Sequence, residues 1–167
     1  METYKASLDK TSKILTSIVF LIILPGIIVS LIFTPWDSGM LESVVLLILV
    51  IFAYLFKVQS YVITDQKIII TRPFSILNKE IFLSEIESVS IPNKADFNST
   101  IRTFGNGGLF GYYGWFRNKK LGSFRMYATN KTNRVLIILK DNKGKIVISP
   151  DDAGMADALK KHIGKPL

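Results

Sequence analysis

The 167-residue chain contains no cysteine and a single histidine, His162. The first absence removes disulfides, thiolate metal ligands and cysteine nucleophiles together. The second leaves no imidazole pair for a metal and no spare base for a Ser-His-Asp arrangement. No metal or cofactor is therefore expected. Charge is also missing where it would be informative. Ile14 to Trp36 runs 23 residues without a charged side chain, and Ser43 to Phe56 a further 14. Neither stretch holds the internal ionisable residue that marks an ion or substrate path.

A helix needs about 20 apolar residues to cross bilayer hydrocarbon. The first stretch is long enough, and the second becomes so once it reaches back to Gly39. Residues 1–57 are thus expected to form a transmembrane α-helical hairpin, with spans at about 14–35 and 39–56. The first is too long for the apolar core of a cleaved signal peptide and no Ala-x-Ala-like site follows, so a retained helix is expected. Pro25-Gly26 falls mid-span and predicts a kink. The connection from Thr34 to Gly39 is rich in turn formers, and its Trp36 suits a membrane interface. Lys5, Lys10 and Lys13 precede the first span and Lys57 follows the second, while the connection carries only Asp37 and Glu42 nearby. That bias predicts a two-span protein with both termini cytoplasmic.

After Lys57 the texture becomes short β-like runs broken by turns. Val58–Thr64, Lys67–Arg72, Ile76–Leu83, Ile86–Ile91, Leu121–Ala128, Arg134–Leu139 and Lys145–Ile148 are rich in β-branched and aromatic residues. They predict about seven antiparallel strands. Thr64-Asp65-Gln66 and Asp141-Asn142-Lys143-Gly144 predict hairpin turns, with Gly144 free to take positive φ. The capping oxygens of Ser149-Pro150-Asp151-Asp152, followed by Ala156, Leu159 and Ile163 at helical spacing, predict a closing helix. Adjacent carboxylates there are expected to cap rather than to ligate metal.

Tyr61-Val62-Ile63-Thr64-Asp65-Gln66-Lys67-Ile68-Ile69-Ile70-Thr71-Arg72, followed by Ile81-Phe82-Leu83-Ser84-Glu85-Ile86-Glu87-Ser88-Val89, resembles the opening of a bacterial pleckstrin-homology (PH) domain, a family often found after membrane helices. The resemblance covers about residues 58–163. It implies an all-β, partly open barrel of seven strands capped by the C-terminal α-helix over residues 58–167, and a superfold used mostly for binding. The basic cluster around the first hairpin that inositol phosphates require is not evident in Thr64-Asp65-Gln66-Lys67.

Residues 104–122 depart from a minimal domain of that kind. Gly105 to Phe116 packs five glycines and five aromatics into twelve residues, and Arg117-Asn118-Lys119-Lys120 follows. Neither phosphate-cradling loop fits the frame: Phe110 stands where the last glycine of Gly-x-Gly-x-x-Gly belongs, and no Lys-Ser/Thr follows for Gly-x-x-x-x-Gly-Lys-Ser/Thr, so nucleotide binding is disfavoured. Two readings stay open. In one, the glycines bend a long hairpin whose aromatics pack inward. In the other, Phe110, Tyr112, Tyr113, Trp115 and Phe116 form an apolar tip collared by Arg117, Lys119, Lys120 and Arg125, suited to an anionic lipid surface. From Phe97 to Lys140 there are eight Lys and Arg and no Asp or Glu.

From Val58 onward, 17 Lys and Arg face 9 Asp and Glu, so this segment carries the whole net charge of +8. No helix-turn-helix spacing, zinc motif or RNP-like strand accompanies that charge, so nucleic acid is not an expected partner. Taken together the sequence predicts a non-catalytic, membrane-anchored PH-like binding or scaffolding module. Anionic lipid headgroups, a protein partner of unknown identity or further copies of the chain are its expected partners. The alternative is a homo-oligomeric scaffold or an accessory subunit of a membrane transport or enzyme complex.

Overall fold

The computed structural model describes residues 1–33 and 38–163. The expected turn at Thr34–Asp37, with Trp36, lies outside the described residues. Two helices flank that gap, Lys10–Phe33 and Ser38–Leu55. The first is long and apolar enough to cross a membrane by length and composition, and 11% of its apolar window is buried. A core helix of a water-soluble domain would be mostly covered. The second is a shorter apolar helix, Met40–Leu55 by the same measure. At 1.5 Å per residue its full 18 residues extend about 27 Å. The two helices touch through apolar side chains and through Ser43, whose hydroxyl donates to Ser30 at 2.8 Å.

Pro25 acts one turn upstream of itself. Its ring cannot sit against the carbonyl of residue i−4, Leu21, and it has no N–H to donate. The helix widens there into a π turn over Val19–Ile23, in which the Leu24 N–H bonds to the Val19 carbonyl. Asp9 caps the helix start by accepting from the Ser12 N–H at 2.8 Å.

Among the described residues the remainder forms ten strands, three more than the sequence led us to expect. They are β1 (Glu2–Lys5), β2 (Ser60–Ile63), β3 (Lys67–Thr71), β4 (Lys79–Phe82), β5 (Ile86–Ser90), β6 (Ile101–Gly108), β7 (Gly111–Asn118), β8 (Gly122–Ala128), β9 (Val135–Leu139) and β10 (Gly144–Ile148). One sheet has the order β1-β2-β3-β4 and the other β5-β9-β10-β8-β7-β6. The two sheets do not close into a barrel. Nor are all pairs antiparallel: β10 inserts beside β8 with Ile146 opposite Arg125, and runs parallel to it. Strand β1 lies on the N-terminal side of the first helix and pairs with β2, Thr3 opposite Val62. Its four residues alternate too weakly in hydrophobicity to announce a strand. Strands β6 and β7 were hidden by their glycines. Ile76 and Leu77, the start of the run expected as strand over Ile76–Leu83, lie in a single 3₁₀ turn, Ser75–Leu77.

The main core lies between the two sheets and the C-terminal helix, Met155–Ile163. Ile68, Ile70 and Ile81 from one sheet meet Ile137, Ile146 and Ile148 from the other, and Met155, Ala156 and Leu159 cover them. Asp152 holds the helix entry by accepting from the Gly154 N–H at 2.8 Å. Asp151 does other work. Its carboxylate accepts from the Ser7 N–H at 2.8 Å and hydroxyl at 2.6 Å, tying the N-terminal segment down. A second core lies on the opposite face of the larger sheet, where Phe97, Phe116, Phe124, Leu136 and Val147 gather. Alternation along β9 and β10 serves both cores, so neither strand keeps a polar face.

Tyr61 bridges the sheets from complete burial. Its hydroxyl donates to the Tyr127 carbonyl at 2.7 Å and accepts from the Ser149 N–H at 3.1 Å. Desolvation raises its pKa above the ordinary phenol value. Tyr61→Phe removes the hydroxyl that both backbone groups bond in the buried interior, and is expected to cost about 1–3 kcal/mol in denaturant unfolding of the detergent-solubilised chain. Tyr4→Phe, which loses an exposed bond to Glu2, is expected to shift stability by less than about 0.5 kcal/mol.

Candidate functional site

The Gly/aromatic segment is a β-hairpin, made of β6 and β7. Its glycines allow two backbones to approach closely. Gly105 and Gly114 face each other in register, and a Cβ on either would collide with the carbonyl oxygen opposite. At the tip, Phe110 is held at φ 56° between Gly108 and Gly111. A bulky residue avoids that region unless its surroundings demand it.

The surroundings are the two helices. The Phe110 ring is 3% exposed and meets Phe20 of the first helix and Tyr54 of the second edge-on, with centroids 5.9 and 5.6 Å away. Its N–H donates to the Thr16 hydroxyl at 3.1 Å. Tyr113 stacks on Phe56 and donates to the Ala53 carbonyl at 3.1 Å. Tyr112 donates to the Asp9 carboxylate, 3.1 Å to the nearer oxygen, so the residue capping the first helix also holds the hairpin. The tip is a wedge driven between the start of one helix and the end of the other.

The residues singled out in the sequence therefore separate into groups. Phe110, Tyr112 and Tyr113 are buried in the helix junction, and Phe116 is buried in the second core beside Phe124. Trp115 remains 42% exposed, with the Arg125 guanidinium 4.4 Å from its ring centre. Arg117, Lys119, Lys120 and Arg125 are exposed. Lys120 is engaged by Asp96 at 2.5 Å, and its hydrogen bond holds that carboxyl below the ordinary range.

Two grooves flank the hairpin. On the Tyr112 side a groove of about 590 Å³ is bordered by Phe97, Thr100, Arg102, Lys131 and Arg134. Arg134 lies over the Phe97 ring at 4.0 Å, and burial lowers its pKa. On the Tyr113 side a groove of about 500 Å³ runs between the hairpin and the end of the second helix. Leu49, Phe52, Phe56, Phe104 and Trp115 border it together with Arg72. Neither Arg72, a lone cation at the end of a strand, nor Asp9 is marked by any pattern of adjacent residues. Their importance comes from neighbours distant in the chain. Phe104, 76% exposed and opposite Trp115 across the hairpin, was legible only as part of an aromatic cluster.

A family model of the bacterial PH domain matches residues 59–163. No curated protein and no solved structure matches the chain. The match covers β2 through the C-terminal helix, leaving the apolar helices and β1 outside it.

Gly114→Ala forces Phe104 and Gly105 away from β7 and is expected to cost about 1–3 kcal/mol, as overpacking does. It should also speed amide exchange at the hairpin tip. Gly122→Ala, at φ 71° with open space around it, is expected to cost about 1 kcal/mol and leave the tip protected.

Proposed function

The chain belongs to the bacterial PH domain family, and on that premise we propose a non-catalytic binding module held against an anionic membrane surface by its own helical hairpin. PH domains are typically binding modules that engage lipids or proteins. The observation that carries the reading is the Phe110 wedge. It ties the β-domain to the ends of two apolar helices, and Trp115, with Arg125 over its ring, borders the second helix alongside Leu49 and Phe52.

In this reading residues 1–57 are the two-pass anchor, to which Glu2–Lys5 is an exception because it pairs within the β-domain. Residues 58–167 form the cytoplasmic module, in a bacterial inner membrane. Lys10, Lys13 and Lys57 lie at the same ends of the helices as that domain, in keeping with cytoplasmic placement. The excess of 17 Lys and Arg over 9 Asp and Glu from Val58 onward provides the attraction, each cation near the surface being worth about 1 kcal/mol. Tethering within a few residues of the bilayer makes even weak contacts effective. Lys119 belongs to this surface, whereas Lys120 contributes less because Asp96 neutralises it.

A second reading rests on β6, the edge strand of the larger sheet, which exposes Ile101 and Phe104. An edge of that kind invites pairing with another copy, making the protein a scaffold.

Trp36→Phe leaves Trp115 as the single tryptophan of the full chain. In vesicles holding equal fractions of both lipids, brominated phosphatidylglycerol is expected to quench Trp115 several-fold more than brominated phosphatidylcholine. The ratio should fall towards one in 0.5 M salt, or with Arg117→Ala and Arg125→Ala combined. Equal quenching by the two lipids at low salt would sink the lipid reading. The mass of the chain in single nanodiscs tests the scaffold, with a dimer that Phe104→Lys disperses as its expected signature.

A further inference from the structure

The groove on the Tyr113 side combines features that a general surface attraction does not need. Among the described residues Arg72 is its only charged border residue. The guanidinium carbon lies 4.7 Å from the Phe56 ring centre and 5.6 Å from that of Tyr127, flanked by aromatic faces. Its Nε is buried and has no hydrogen-bond partner, and no carboxylate pairs with it among the described residues. Its backbone N–H is bound to the Asn78 side chain at 2.8 Å, which holds this part of the chain in place. A half-buried guanidinium with unmet donors is matched by a planar pair of acceptor oxygens, as a phosphate presents.

The rest of the groove is apolar. Phe52 and Phe56 pack together with ring centres 4.6 Å apart, and Leu49 lies further along the same helix face. From Phe56 to Leu49 the helix descends about 10 Å, room for the first part of an acyl chain. Arg72 stands at the upper end of that path, because the Gln59 N–H bonds the Thr71 carbonyl at 2.9 Å just beyond the helix end. The segment leaving Arg72 then exposes Phe74 (56%) and Ile76 (90%). In water these side chains would be a liability. At the headgroup level they are in their preferred medium.

We propose that this groove holds one anionic phospholipid, its phosphodiester on the Arg72 guanidinium and one acyl chain along Leu49, Phe52 and Phe56, with Phe104 and Trp115 closing the outer side. The proposal rests on the membrane reading above and adds a single defined site to it. A zwitterionic lipid also carries a phosphate. Its quaternary ammonium, however, would be brought beside Arg72 and Arg125, with no carboxylate among the groove's border residues to receive it. The selection is therefore one of charge.

Native mass spectrometry of the full chain in detergent, titrated separately with phosphatidylglycerol, phosphatidylcholine and inorganic phosphate, provides the test. One phosphatidylglycerol per chain is expected to be retained, at least tenfold more tightly than phosphatidylcholine, with no phosphate adduct. Arg72→Gln should erase the tenfold preference, and Arg72→Lys should restore part of it. Leu49→Trp, a change at an exposed helix position that fills the groove and keeps Arg72, should lower retention of both lipids about tenfold. It also keeps the test open if Arg72→Gln does not fold. Unaltered phosphatidylglycerol retention in Arg72→Gln or in Leu49→Trp overturns the proposal. So does a phosphate adduct as strong as the lipid's, or a lipid count that rises without saturating. Two variants separate the two ideas. Arg117→Ala combined with Lys119→Ala, both outside the groove border, should keep the single retained lipid in detergent, and Arg72→Gln should keep the salt-sensitive share of the preferential Trp115 quenching in vesicles, so either assay can fail alone.

Discussion

The seating of Phe110 between the two helices is the contact on which the rest depends. A phenyl ring at positive φ is costly in isolation, and it persists only when burial outweighs the backbone strain. Here the ring is enclosed by Phe20 and Tyr54, and the Thr16 hydroxyl takes the N–H that the tight turn leaves over. Tyr112 and Tyr113 extend the seat in both directions, one onto the residue capping the first helix and one onto a carbonyl of the second. The hairpin and the helices are therefore parts of one packing unit, and the domain's orientation to its helices follows from that unit.

A second constraint reinforces it from the other end. Because β1 precedes the first helix and pairs with β2, which follows the second, the polypeptide enters and leaves the helical pair through the same sheet. Ser7 bonds the Asp151 carboxylate, and the Asp9 N–H bonds the Thr129 carbonyl at 3.1 Å. Each link ties the N-terminal segment to a part of the domain far away in sequence. A domain cut at Val58 would lose β1 and the buried Ala6.

Charge is arranged around this joint with a consistent sense. The acid-free stretch from Phe97 to Lys140 covers most of the two flanking grooves. Some of its cations stack on rings, as Arg125 and Arg134 do, while Arg117 and Lys119 are exposed to solvent. Stacking keeps a guanidinium in place without neutralising it. Such a cation stays available to an external anion, whereas Lys120, paired with Asp96, does not.

The apolar helices, seven strands rich in β-branched and aromatic residues and the closing helix were all legible in the chain, because each is marked by residues adjacent in the sequence. The glycine-rich strands β6 and β7 were not, since glycine carries no periodic side chain and their pairing rests on one backbone approaching another. Sequence alone determined that five aromatics and a cationic run sit together. Only the tertiary structure decided that Phe110, Tyr112, Tyr113 and Phe116 turn inward while Trp115 stays out, because the surfaces that cover them come from residues 9–56 and from the second core. The same holds for Arg72. As one cation ending a strand it was silent, and its unmet donors have meaning only beside Phe56 and Tyr127, which the fold brings to it from either side in the sequence.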